Sequence, residues 1–232
     1  MDTSRSALIT GASTGLGLAT AHHLAGLGFG LTLTGRSSAS LDAAVAELTA
    51  VGADVVGVVA DASEWADNER AVAAHLDRHA TLDVVVANAG FTAAGDLIDG
   101  DPERWRAMVL TNVLGPALLV KASVPHLTVP GGHVVLIGSV AGRVIRPGSL
   151  YGVTKHAVAA LAANLRAQLT PMGLRVAVVE PGIIDTPFWG EAGAPGSALE
   201  AGAVAEAIGY IVEQPAGVDI NELLVRPVGQ SI

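Results

Sequence analysis

Tyr151 and Lys155 stand four residues apart in the stretch Tyr151-Gly152-Val153-Thr154-Lys155. Residues spaced by four on a helix lie one above the other on one face, so a phenol and an ammonium can point into the same space. A free phenol titrates near about 10 and is a poor acid or base at neutral pH, but a nearby positive charge favours its anion. Ser139 lies twelve positions upstream, just past the apolar run Val134-Val135-Leu136-Ile137. A strand end, a hydroxyl, a loop and a Tyr/Lys helix would gather three polar groups around one carbonyl-sized gap. The same spacing also arises in surface pairs, so the start of the chain has to add weight.

There, a short strand over 7–10 runs into Gly11-Ala12-Ser13-Thr14-Gly15-Leu16-Gly17 and then a helix to about Leu27. Glycines between a first strand and its helix let the backbone approach a pyrophosphate, and the helix N-terminus offers free N–H groups and the positive end of its dipole. An ordinary Gly-rich turn is the plainer alternative; the position between first strand and first helix favours the dinucleotide. A site for NAD would place Asp or Glu on the adenosine ribose about twenty residues on. This chain has Thr34-Gly35-Arg36-Ser37 there. The planar fork of Arg36 suits a phosphate and points to NADP(H). Alternatively Arg36 is a solvated surface arginine, or stacks on adenine without choosing between cofactors.

These groups need a scaffold. The pattern predicts strands over 29–34, 54–59, 82–87, 133–137, 175–179 and 222–225 after the first one. Helices are predicted over 40–51, from an N-cap at Ser63 to 79, from Asp101-Pro102 towards 127, over 150–170 and over 201–213. Alternation of strand and helix predicts an α/β, three-layer, doubly wound Rossmann fold with a seven-stranded parallel sheet and right-handed crossovers. Apolar runs such as Val84-Val85-Val86 suit strands buried on both faces. The segment 187–200, rich in Gly, Ala and Pro, reads as a loop.

The chain has 232 residues, which fits one domain spanning 1–232. Half of it is hydrophobic, with only 3% aromatic residues, so the core is built from Ala, Val and Leu. A net charge of −9 argues against nucleic acid or an anionic membrane as partner. There is no Cys, which excludes disulfides and thiolate metal sites, and no metal is expected. Residues 1–5 carry no signal-peptide pattern and no apolar run is read as reaching transmembrane length, so a cytoplasmic protein is expected.

Together these features resemble the short-chain dehydrogenase/reductase family, in its single-domain branch, over nearly the whole chain. Thr10-Gly11-Ala12-Ser13-Thr14-Gly15-Leu16-Gly17 fits the branch's Thr-Gly-x-x-x-Gly-x-Gly. Ala87-Asn88-Ala89-Gly90 fits its Asn-Asn-Ala-Gly with Ala87 in the first position. Asn112, Ser139, Tyr151 and Lys155 fall on its catalytic four, and Pro181-Gly182 with Thr186 fits its Pro-Gly motif. The resemblance implies an NADP(H)-dependent oxidoreductase acting on a small carbonyl or alcohol. Tyr151 is then the general acid or base; Lys155 lowers its pKa and binds the nicotinamide ribose; Ser139 hydrogen-bonds the substrate oxygen; Asn112 holds a water. Gly11, Ser13, Thr14, Gly15 and Leu16 would hold the phosphates, and Arg36 the 2′-phosphate. Asp61 and Ala62 would flank the adenine, Asn88, Ala89 and Gly90 the middle, and Pro181, Gly182, Ile184 and Thr186 the carboxamide and phosphates. The helices starting at Pro102 and Leu150 form the family's subunit contact, which implies a homodimer or homotetramer. The main alternative is a regulatory protein that senses NADP(H) without turnover.

Some residues carry finer expectations. Pro116, four after Asn112, has no N–H for the Asn112 carbonyl; it either exposes a water site or is a tolerated kink. The Ser139–Tyr151 spacing is about one shorter than the family's, and segment 187–200 is short, so an open site is expected. Phe91, Thr92, Val140, Ile145, Leu150, Phe188 and Trp189 are candidate pocket residues; Phe188 and Trp189 alternatively pack the loop onto the core. His75 and His79 read as a solvated pair rather than metal ligands, and His22-His23 as surface. The ending 220–227 looks like relatives that reduce small aldehydes or oxidise 3-hydroxy acids, or marks a subunit contact.

Overall fold

The computed structural model describes residues 5–215 and 217–230; the reading of residues 1–4 lies outside them. Seven parallel strands form the central sheet: β1 (Ser6–Ile9), β2 (Gly30–Gly35), β3 (Val55–Val59), β4 (Val84–Ala87), β5 (His133–Ile137), β6 (Arg175–Pro181) and a last strand, Glu222–Val225. Their order across the sheet is β3-β2-β1-β4-β5-β6 and then the last strand. The direction of growth reverses between β1 and β4, the place where doubly wound sheets open a crevice at their carboxyl ends.

Alternation along the strands sorts the core into two layers. Ala7, Ile9, Val84, Val86 and Val135 face α1 (Gly15–Gly26), α2 (Ser38–Ala50) and α7 (Ala201–Val212). Leu8, Val85, Val134 and Leu136 face α3 (Trp65–His79), α5 (Gly115–Ser123) and α6 (Leu150–Leu169). The valine runs are buried on both faces, as expected for parallel strands. Between Ile184 and Leu199 the chain departs from the expected loop. Two short strands, β7 (Ile184–Asp185) and β8 (Leu199–Glu200), pair in parallel around a 3₁₀ segment, Pro187–Ala192. The last strand of the large sheet is therefore β9 (Glu222–Val225).

Four sequence expectations change. The helix α3 is capped at Glu64, not Ser63; Ser63 instead gives its N–H and hydroxyl to the Asp61 carboxylate, at 2.9 and 2.7 Å. His75 is not solvated: it is wholly buried, with ring nitrogens 2.9 Å from the Thr32 hydroxyl, 3.0 Å from the Ser6 hydroxyl and 2.9 Å from the Thr81 carbonyl. His79 reaches the Leu31 carbonyl at 3.1 Å. His22 and His23 are half-buried, His22 lying 2.8 Å from Glu47. The helical run Pro102–His126 is long and apolar enough, by length and composition, to cross a membrane, with a hydropathy of 1.6. Its Leu119, Val120 and Ala122 are buried against Ala71 and Val72 of α3 and the strands beneath. This run contains α4 (Pro102–Val109), opened by Asp101 accepting from the Glu103 N–H at 2.9 Å, and α5.

Buried histidines make the fold acid-sensitive. His133, at the start of β5, is fully buried, and neither ring nitrogen has a hydrogen-bond partner among the described residues. Burial first, and the charge of Arg175 second, push its pKa down to about 3. An unfolded histidine titrates near about 6.5, so below that pH the unfolded chain takes up a proton that the folded chain refuses. The stability tied to neutral His133 is thus present above about pH 6.5 and is lost as pH falls towards 3. His133→Leu is expected to stabilise by about 1–3 kcal/mol at pH 7, because it removes an unpaired buried polar ring. Its advantage should widen at pH 5; thermal unfolding at both pH values checks this, and an equal or shrinking difference contradicts it.

Candidate active site

The crevice at the carboxyl ends of β1 and β4 opens into a cleft of about 480 Å³. Its first wall is the glycine loop. Gly11 and Gly15 hold φ of +63° and +57°, a left-handed backbone that suits glycine. A Cβ on Gly11 would stand 2.9 Å from the Ala89 Cα, and a Cβ on Gly17 would strike the Gly11 carbonyl oxygen. The loop is stapled to the end of β4. The Asn88 side chain donates to the carbonyls of Thr10 and Gly11, at 2.8 and 3.0 Å, and the Thr10 hydroxyl accepts from the Asn88 and Ala89 N–H groups, each at 3.2 Å. The Thr14 side chain does not cap α1, and the Thr14–Gly15 end lines the cleft. That end, with its unspent N–H groups, suits an anion.

The other residues arrive from separate elements. Arg36, after β2, is exposed at one end of the cleft. Asp61 and Ala62 follow β3, and Gly90 and Phe91 follow β4. Ser139 follows β5, while Pro181 ends β6 and Gly182, Ile184 and Thr186 follow it. Tyr151 and Lys155 come from the first turns of α6, whose Ser149 cap accepts from the Gly152 N–H at 3.0 Å. Thr186 closes over the glycine loop, 3.3 Å from where a Gly15 Cβ would be. Phe188 packs at a tilt against Tyr151, 5.8 Å between ring centroids, and Trp189 donates to the Ile184 carbonyl at 2.8 Å. Both also line the cleft, so the short segment 187–200 still reaches the site that the sequence reading left open.

Of the predicted site residues, all but Asn112 line this one cleft. Asn112 is buried behind it. Its side chain brackets Phe91, accepting from the N–H at 3.0 Å and donating to the carbonyl at 2.9 Å, and it donates to the Thr154 hydroxyl at 3.1 Å. It thereby ties the end of β4 to α6. The irregularity expected at Pro116 is a π-helical turn, Leu110–Leu114, one turn earlier, where Gly115 donates to Leu110. Of the candidate pocket residues, Phe91, Val140, Phe188 and Trp189 line the cleft. Thr92 and Leu150 line a smaller hollow beside Tyr151, and Ile145 is exposed.

Comparison with known proteins follows the same outline. Residues 5–195 match the sequence profile of the short chain dehydrogenases. The chain belongs to the short-chain dehydrogenase/reductase family. An uncharacterized oxidoreductase of Staphylococcus epidermidis is 32% identical over 229 residues, 96% of each chain. An alcohol dehydrogenase from the archaeon Thermococcus sibiricus, complexed with 5-hydroxy-NADP, matches with a TM-score of 0.90 and 32% identity over 98% of both chains. A short-chain dehydrogenase/reductase from Burkholderia phymatum in complex with NAD matches with a TM-score of 0.87 and 26% identity over 95% of this chain and 88% of that one.

In this member of the short-chain dehydrogenase/reductase family, burial dominates the electrostatics. Burial pushes Tyr151 up to about 12, against a hydrogen bond from Ser139 and the charge of Arg146. Lys155 is buried, and its ammonium donates to the Ile137 carbonyl at 2.8 Å, 5.7 Å from the Tyr151 ring centre. Burial pushes Lys155 down to about 8. The sequence predicts that Lys155 draws the Tyr151 pKa down; in the protein alone burial raises it, and the opposing influences come from Ser139 and Arg146 rather than from Lys155. Two groups escaped the sequence reading. Gln230 lines the cleft from the far end of the chain. Arg143 binds buried Glu180 at 2.6 Å through Nε and bridges to Glu222, anchoring the Ser139 loop to β6 and β9. Both act across long sequence separations, and no local pattern marks them.

Lys155 gives a signed pH dependence. The unfolded lysine holds its proton up to about 10.4, the folded one only to about 8. Between those values the unfolded chain binds more protons, so the penalty for burying the ammonium eases as pH rises. Lys155→Met removes that titration. The stability difference between the variant and wild type is expected to move in favour of wild type from pH 7.5 to 10.5, by up to about 3 kcal/mol. Urea unfolding at the two pH values measures it; a flat difference would rule out the depressed pKa.

Proposed function

We propose that the protein is an NADP(H)-dependent oxidoreductase that interconverts a small carbonyl compound and its alcohol, with Tyr151 as general acid and base. The observation that carries this reading is the shared cleft: Ser139, Tyr151 and Lys155 lie along the same cavity as an uncapped helix end and Arg36. The uncapped α1 terminus and the tight glycine cradle fit a pyrophosphate, and Arg36 fits a further phosphate. Bound there, the nicotinamide would supply a hydride to a carbonyl or take one from an alcohol.

The residues of this chain do the rest. Tyr151 gives its proton to the carbonyl oxygen in reduction and removes it from the alcohol in oxidation. Ser139 donates a hydrogen bond to the same oxygen. With the cofactor bound, Lys155, whose ammonium lies 5.7 Å from the Tyr151 ring centre, would hold the ribose hydroxyls. A phenol at about 12 is too weak an acid to serve at neutral pH, so Tyr151 would depend on that positive charge. Asn112 holds the Phe91 backbone and α6 in place for all three. A homodimer or homotetramer in the cytoplasm belongs to the same proposal. Exposed Val109, Leu114 and Val153, on or beside α4 and α6, support the assembly.

The relatives do not choose the cofactor, since one matched structure holds 5-hydroxy-NADP and another NAD. The choice of NADP(H) rests on Arg36 and the lack of an acid beside it. Two variants test the proposal. Tyr151→Phe should fold and bind NADPH like wild type but lose at least about a hundredfold in turnover of a carbonyl panel; near-normal turnover refutes the Tyr151 role. Arg36→Ala should weaken NADPH about tenfold and NADH little, read by enhanced nicotinamide fluorescence. Equal loss for both rejects the phosphate role, and binding of neither cofactor to wild type rejects both the enzyme reading and the NADP(H)-sensing alternative, leaving a scaffold.

A further inference from the structure

We infer that Gln230, near the end of the chain, is a positioning residue that clasps the turn after β6 and so shapes the nicotinamide end of the cleft. This rests on the cofactor reading above. After β9 the chain turns back on itself: the Gln230 N–H donates to the Pro227 carbonyl at 3.2 Å, and the Arg226 side chain donates to the Gln230 carbonyl at 3.2 Å. The turn carries the Gln230 side chain over Gly182. Its Oε1 accepts the Ile183 N–H at 3.0 Å.

Two further observations tie this contact to the site. A Cβ on Gly182 would run into the Gln230 Oε1 and would stand 2.9 Å from the Pro227 ring. Gly182 is therefore a glycine because the tail occupies its side-chain space, and Gln230 itself lines the cleft. Ile183 is also a junction. Its carbonyl accepts from the Leu199 N–H at 2.8 Å, which holds β8 against β7. The next residue, Ile184, accepts from Trp189. Thus one glutamine amide fixes the N–H of a residue whose neighbours carry Ile184, Thr186 and Phe188 to the cleft. Without it, the Ile183 N–H loses its acceptor and the strap over the cofactor site loses a fixed start. An unpaired N–H and a loosened turn are expected to show first as weaker cofactor binding, since the sheet itself is held by the β6–β9 ladder.

The test compares Gln230→Ala with Gln230→Glu, which keeps an oxygen acceptor at the same reach. Three quantities are measured: NADPH affinity by nicotinamide fluorescence, amide hydrogen exchange at Ile183 without cofactor, and Tm without cofactor. Gln230→Ala should weaken NADPH about five- to tenfold. It should speed exchange at Ile183 and leave the Tm close to wild type, and Gln230→Glu should restore Ile183 protection. Should Gln230→Ala fold poorly, Gln230→Asn, one methylene shorter, carries the same expectation. Unchanged Ile183 exchange, or wild-type NADPH affinity in the alanine variant, overturns the inference while leaving the cofactor reading intact. A wild-type protein that binds neither NADPH nor NADH overturns both.

Discussion

The structure depends on the close approach of two strand ends. Where β1 and β4 lie side by side, the backbone after β1 must pass within van der Waals contact of the backbone after β4. Gly11 allows this by lacking a Cβ, and Asn88 holds it by bonding two consecutive carbonyls of the loop. Gly17 must then sit against Gly11, which sets how closely α1 starts behind the loop. The cleft is the space left when these atoms are in place. Any side chain at Gly11 would push α1 from β4 and close the cradle on which the anion site depends.

Around that junction the protein accepts electrostatic costs. Lys155 is buried beside the end of β5 with one carbonyl for a partner, and Tyr151 is held well above its ordinary pKa. The buried ammonium disfavours the folded state at neutral pH, whereas Tyr151, neutral there in both states, costs stability only as pH rises past about 10. Such strained titration is characteristic of sites whose partner arrives later. His75, at the opposite end of the sheet, behaves differently. It is also buried and pushed down to about 4, chiefly by burial, but it has hydrogen-bond partners on β1, β2 and the loop before β4. It links strands and holds neutral; it serves the scaffold.

Beyond the motifs, the site is braced by contacts between distant segments. Asn112 joins Phe91 to Thr154, Arg143 joins Glu180 to Glu222, and Gln230 joins the tail to Ile183. The Asn112 and Gln230 braces hold chain that lies beyond a strand end, and the Arg143 brace ties the Ser139 loop to the β6–β9 ladder. A parallel sheet leaves its functional loops at one edge, so bracing between loops is the remaining way to hold their side chains to a common geometry.

The sequence by itself determined the order of strands and helices in the large sheet and the glycine cradle. The physical reason is that these are local: valine runs mark buried strands, Asp101-Pro102 marks a helix start, and glycines mark a backbone that must come close. Tertiary structure decided the rest. Ser63 has the chemistry of a cap, but Asp61 took its hydroxyl. His75 and His79 look solvent-facing by composition of their helix, yet α3 lies on β1 and β2 and buries them. Residues Pro102–His126 pass for a membrane span until Leu119, Val120 and Ala122 are seen buried in the core. The Tyr151/Lys155 spacing predicts a lowered Tyr151, but the depth of burial, which no local pattern contains, raises it. The partners of Asn112, Arg143 and Gln230 lie tens of residues away in the chain, and only folding could bring them together.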